Sequence, residues 1–140
     1  MIVECLLDTN ILVYAVDSTP VNSEKKATAL ELIEKADFGL STQIMQEFYV
    51  TVTRKFRKLL SSEEAALFLE QLNAFPVIST DYRIVTDGIR NSIKHQISYW
   101  DGTVLAAAER LKARILYSED LNHGQLYGTT TVINPFFKEV

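Results

Sequence analysis

Near its start the chain carries a short, β-prone apolar run, residues 2–7, that stops at an acid, Asp8, before turning polar through Thr9 and Asn10. Such a run reads as a buried strand that delivers Asp8 at its C-terminal end. The placement is restrictive, because a carboxylate closing a buried strand is costly to desolvate unless hydrogen-bond donors or a cation meet it.

Downstream, strand and helix signals alternate. Residues 19–22 read as a loop, and Ala27, Leu30, Ile33 and Ala36 then recur at the spacing of a surface helix. Residues 38–41 form a second strand candidate, followed by a helix over residues 42–58 striped by Ile44, Phe48, Val52 and Phe56, with Glu47 one position off the stripe. Ser61 with Glu64 matches a capping box, and Ala65, Phe68, Leu72 and Phe75 mark the helix behind it, which Pro76 ends. Residues 77–79 are a third strand candidate. Residues 81–96 predict a polar helix weakened by Gly88, and residues 98–113 a stronger one. Strands at 114–118 and 130–133 flank an irregular connection, and Asn134 and Pro135 stop the last. This alternation implies right-handed crossovers and an α/β fold: three layers, α/β/α, with a mainly parallel central sheet.

With 140 residues, 47% of them apolar, the chain suits one compact core, so residues 1–140 are expected to form a single domain. The lone Cys5 cannot pair within the chain, and a buried, reduced thiol fits a reducing cytoplasm. No apolar stretch approaches the length of a membrane span, and Glu4 and Asp8 interrupt any export-type leader, so a soluble cytoplasmic protein is expected. The net charge of −4 means that any nucleic-acid contact needs a local basic patch. Arg54, Lys55, Arg57 and Lys58 around Phe56 supply one, although cations also suit a helix C-terminus.

Four acids stand out, each with a structural alternative. Asp8 can cap the helix that follows it, Glu47 can be a solvated helix residue, Asp101 can complete a capping box with Ser98, and Asp120 can be a turn residue. Ligands in open α/β sheets gather beyond the carboxyl ends of strands, where Asp8 and Asp120 fall. Two like charges about 4 Å apart repel by roughly 4 kcal/mol at an effective dielectric of 20, so a carboxylate cluster calls for protons or a metal. An all-oxygen set suits Mg²⁺ or Mn²⁺, and no Cys and His spacing of a zinc site is present.

Leu7, Asp8, Thr9 and Asn10, then Gln46, Glu47 and Phe48, then Trp100 and Asp101, then Ser118 to Leu121 follow one another in an order that resembles PIN-domain ribonucleases. The likeness spans nearly the whole chain. It is closest to VapC-type toxins of toxin–antitoxin pairs, which also tend to end with a strand running into Asn, Pro, Phe, here Asn134 to Phe136. The resemblance implies a Mg²⁺- or Mn²⁺-dependent ribonuclease whose metal-holding acids are Asp8, Glu47, Asp101 and Asp120. It adds Ser118 as a supporting hydroxyl and Asn10 as support for the first aspartate. Strand alternation aims Glu119 and Asp120 oppositely, and the family pattern selects Asp120. Gly102 replaces a more usual alanine, which predicts a slightly weaker helix start. The implied substrate is structured RNA, such as transfer RNA, and the implied partners are a cognate antitoxin and a second copy of the chain.

Trp100 is expected in the core, with stacking on bases as its alternative, and His95 and His123 have no ligand-spaced partner. Two other functions fit the same fold: a PIN-type nuclease acting on other RNA or on DNA outside a toxin–antitoxin system, and a non-catalytic nucleic-acid-binding module. The second would be expected to have lost one or more of the four acids, and all four are present.

Overall fold

The structure, a computed structural model, describes residues 2–138. The first apolar run forms β1 (Cys5–Leu7), every residue of which is buried, and Leu6 and Leu7 lose all solvent contact. Burial of each such side chain is worth about 1.5–3 kcal/mol relative to exposure, which makes β1 the spine of the core. The order continues α1 (Thr9–Val16), α2 (Ser23–Lys35), β2 (Phe38–Ser41), α3 (Thr42–Val52), α4 (Ser62–Gln71), β3 (Val77–Ile78), α5 (Tyr82–His95), α6 (Tyr99–Arg110), β4 (Ile115–Tyr117), β5 (Leu126–Tyr127) and β6 (Thr130–Ile133).

The six strands form one sheet in the order β3-β2-β1-β4-β6-β5, parallel except where the short β5 runs against β6. Helix α1 packs on α2 and α3, and α3 on α4, whereas α5 packs chiefly on α6, which also meets β2, β4 and β6. Strand order therefore runs one way from β1 to β3 and the other way from β4. The C-terminal ends of β1 and β4 flank the switch point, where open α/β sheets form their crevice.

Three local expectations are corrected. Helix α3 ends at Val52, not at residue 58, because the Val52 carbonyl accepts from the backbone N–H of both Leu59 and Leu60, at 2.9 and 3.0 Å. Phe56 consequently lies in a loop and is 79% exposed. On α2 the inward face is rotated by about one residue: Ala29 is fully buried while Leu30 is exposed. β5 occupies part of the connection read as irregular.

Gly88 and Gly102 have a packing reason that propensity does not reveal. A Cβ on Gly102 would stand 2.4 Å from the Gly88 carbonyl oxygen, and one on Gly88 would stand 2.3 Å from Thr103 Cγ2. The two glycines let α5 and α6 approach closely, so the missing alanine methyl belongs to the helix crossing. Cys5 is buried as expected, and burial together with Asp37 and Glu4 pushes its thiol up to about 12.

Candidate active site

Asp8 sits at the junction of β1 and α1, only 4% exposed. Its Oδ1 accepts from the Thr9 backbone N–H at 2.7 Å, capping α1, and its Oδ2 accepts from the Ser118 hydroxyl at 2.7 Å. The capping role and a place in an acidic cluster thus coexist. Burial pushes the Asp8 carboxyl up to about 7, against the Ser118 and Thr9 bonds, and the charges of Asp120 and Asp101 push the same way.

Asp101 enters from the first turn of α6. Ser98 caps that helix by accepting from the Asp101 N–H at 3.0 Å, while the reciprocal bond from the Asp101 carboxylate to the Ser98 N–H is absent among the described residues. The Asp101 carboxyl is raised by burial first and then by Asp120 and Glu47. Asp120 follows β4, its N–H donating to the Ser118 oxygen at 3.1 Å. One carboxylate oxygen from each of Asp8, Asp101 and Asp120 lies within 4.8 Å of the others.

Glu47 stands beside this trio and outside its tightest grouping. Its Oε1 accepts from the Gln43 side chain at 2.7 Å and its Oε2 from the Thr9 hydroxyl at 3.3 Å. Gln43 is 6% exposed and also donates to the Trp100 carbonyl at 3.3 Å, while its own oxygen accepts from the Thr103 hydroxyl. It therefore ties α3 to the turn of α6 that carries Asp101. Sequence reading missed Gln43, although it stands one helical turn before Glu47, the spacing at which side chains on one face meet.

Asn10 is placed otherwise than expected. Its side-chain N–H₂ donates to Asp120 at 3.2 Å and to the Ser118 oxygen at 3.4 Å, so it reaches the last acid and not the first. Glu119 turns away from the cluster: it accepts from Tyr14 at 2.6 Å and from Lys25 at 3.0 Å. Trp100, expected in the core, is 62% exposed beside Asp101, edge-on to Tyr99.

Among the described residues no Lys or Arg forms an ion pair with Asp8, Glu47, Asp101 or Asp120. Converging carboxylate oxygens, one of them nearly buried and without a cationic side chain, suit a hard divalent cation.

Residues 5–128 match the family model described as the PIN domain. The chain belongs to the PIN-domain family. The PIN fold is also found in solved structures at low sequence identity. VapC20 of Mycobacterium tuberculosis, a sarcin-ricin loop cleaving toxin, matches with a TM-score of 0.66 and 14% identity over 83% of this chain and 89% of its own. A toxin–antitoxin complex from Klebsiella pneumoniae matches with a TM-score of 0.67 and 18% identity over 94% and 98%. VapBC2 from Rickettsia felis, bound to a promoter DNA fragment, matches with a TM-score of 0.62 and 18% identity over 94% and 97%. No curated protein gives a significant sequence match. Within this PIN domain, no helix among the described residues is long and apolar enough to cross a membrane.

Proposed function

We propose that this PIN domain is a metal-dependent endoribonuclease and the toxin of a toxin–antitoxin pair, cutting a structured RNA such as transfer RNA in the cytoplasm. The observation that carries the reading is the convergence of Asp8, Asp101 and Asp120 at the switch point of the sheet, without a cationic side chain paired to them among the described residues.

In this reading Asp8, Asp101 and Asp120 hold Mg²⁺ or Mn²⁺, and Glu47 completes the acidic set. The cation supplies Lewis acidity and an activated water for phosphodiester hydrolysis. Ser118 and the Thr9 N–H fix the Asp8 carboxylate between β1 and β4, so its oxygens need no reorganisation. Gln43 and Thr9 hold Glu47 toward Asp101. Asn10 and Ser118 orient the Asp120 segment. Trp100, exposed next to Asp101, offers a face on which an unpaired base can stack.

The antitoxin partner is supported by the likeness to toxin–antitoxin complexes. A second copy of the chain is supported by the exposed Tyr82, Ile89 and Ile93 of α5.

The test is cleavage of a labelled transfer-RNA pool with Mg²⁺, with Mn²⁺ and with chelator, beside a folded Asp8→Asn, Asp101→Asn double variant. Discrete cuts that vanish with chelator and in the variant are expected. Undiminished cutting by the folded variant would remove these acids from the mechanism.

A further inference from the structure

The cleft beside the acidic trio, to which Asp120 contributes, continues into a basic pocket. Asn10, Glu47, Asp120 and Glu119, the last already engaged by Tyr14 and Lys25, line its acidic end together with Val13 and Thr51. Val13 and Thr51 also line the adjoining pocket, of about 730 Å³, which includes Arg54, Arg57 and Lys58. These three side chains are exposed, and none forms an ion pair among the described residues. The one acid lining this pocket, Asp17, is already engaged by the Thr19 N–H at 2.9 Å and the Asn22 side chain at 2.8 Å.

The loop that carries the cations is built into the fold. Arg54 Nε donates to the Thr51 carbonyl at 3.1 Å, and the far end of the loop is fastened to Val52 through Leu59 and Leu60. Between these anchors Arg57 adopts φ 58°, a left-handed conformation that L side chains seldom take. An overall acidic chain thus concentrates four of its fourteen Lys and Arg residues within residues 54–58, on the wall of one pocket and the loop behind it.

We infer that this pocket is a docking site for the phosphates of a single RNA strand whose scissile bond lies at the acidic cluster. The inference rests on the nuclease reading above. Five residues of rise along α3, roughly 8 Å, separate Glu47 from the helix end at Val52, and Arg54 stands two residues beyond, so the cations engage phosphates a few nucleotides from the cut. An acidic protein segment would meet the same cations, yet its path along the cleft runs into the carboxylates of Glu47 and Asp120. A divalent cation held by those acids would screen them toward any polyanion, and in the nuclease reading RNA is the polyanion whose backbone has to reach them, which favours RNA.

The test measures affinity for a labelled single-stranded RNA against salt at fixed Mg²⁺, in an Asp101→Asn background that prevents cutting. Arg54→Gln/Arg57→Gln/Lys58→Gln is compared with Lys35→Gln/Lys94→Gln/Lys112→Gln, which removes the same charge elsewhere. Arg57→Gln/Lys58→Gln is included because it keeps the Arg54 anchor. Each single-strand phosphate contact contributes about 0.7 to the salt slope, so the pocket triple should lower it by about 2 and weaken binding roughly tenfold to a hundredfold near 0.1 M salt. In the cutting protein the same substitutions should raise KM by a similar factor. An unchanged slope in the folded pocket variants, or an equal fall in the control triple, overturns the inference while leaving cleavage intact. Wild-type protein that neither cuts nor binds RNA overturns the nuclease reading and the inference with it. Preference for a polyglutamate peptide over RNA assigns the pocket to a protein partner instead.

Discussion

The buried Gln43 side chain donates to Glu47 Oε1 at 2.7 Å and, through the same nitrogen, to the Trp100 carbonyl at 3.3 Å. One carboxamide thus fixes an acid on α3 against the helix turn that supplies Asp101. Gln43→Leu keeps the volume and removes the bonds. In the proposed metal-dependent reading, in which Glu47 completes the acidic set, loss of such support should cost tenfold to a hundredfold in metal affinity or activity. Calorimetry with Mn²⁺ and turnover at saturating RNA should both fall by that order, while denaturant unfolding shows a loss of only about 1–3 kcal/mol. Wild-type metal affinity in the variant would rule out the positioning role.

Asp8 predicts an inverted pH dependence. Its folded pKa, about 7, lies above the roughly 3.9 of an unfolded aspartate, so the folded state holds the proton more tightly. The stability this confers is complete below the unfolded value and is lost as pH rises from about 4 through about 7, at up to about 1.4 kcal/mol per pH unit. Asp8→Asn retains a capping oxygen and a Ser118 partner without the charge. In chelator it should melt above wild type at pH 8, and the gain should vanish near pH 4. Parallel melting curves across that range would contradict the assignment.

Divalent cation should reverse that penalty. Mg²⁺ or Mn²⁺ binding to the folded protein raises the wild-type melting temperature at pH 8, by about 2.7 kcal/mol of stability at a hundredfold excess over Kd. The Asp8→Asn, Asp101→Asn protein should show little response. Equal stabilisation of both proteins would place the cation elsewhere.

Glu119 and Asp120, adjacent in sequence, should behave oppositely. Glu119 is engaged by Tyr14 and Lys25, and Asp120 stands in the acidic trio. Glu119→Gln should lose about 1 kcal/mol of stability and keep Mn²⁺ affinity within a few-fold. Asp120→Asn should lose at least tenfold in Mn²⁺ affinity, read by the same titration.

Helix propensity and packing make contrary forecasts at Gly102. Alanine is the better helix former by about 1 kcal/mol, yet its methyl would stand 2.4 Å from the Gly88 carbonyl oxygen. Because backbone and not a flexible side chain must yield, Gly102→Ala should destabilise by about 1–3 kcal/mol in urea unfolding. A stabilised variant would show that α5 can move away freely.

Where local pattern controls the outcome, the sequence was readable. The run ending in Leu6 and Leu7 became the central strand, and Ile44, Phe48 and Val52 became the buried face of α3. The same stripe misled at Phe56, because the helix is stopped by backbone bonds from Leu59 and Leu60, which no periodicity records. Asn10 lies two residues from Asp8 in sequence, yet its side chain is satisfied by Asp120 and Ser118 across the β1–β4 junction. Trp100 has the composition of a core residue, but its position on the first turn of α6 leaves it at the mouth of the crevice. The order and spacing of the acids were visible, whereas the tighter grouping of three of them depends on strand order, which is a property of the whole sheet.

The pairing of β1 with β4, Leu6 opposite Leu116, brings residue 8 to residues 118 and 120 across almost the full length of the chain. During synthesis, a chain still lacking β4 has Asp8 but neither the hydroxyl that holds it nor the acid that faces it. A nascent or prematurely terminated product is therefore chemically incomplete. Only a chain translated past Asp120 can assemble the acidic trio.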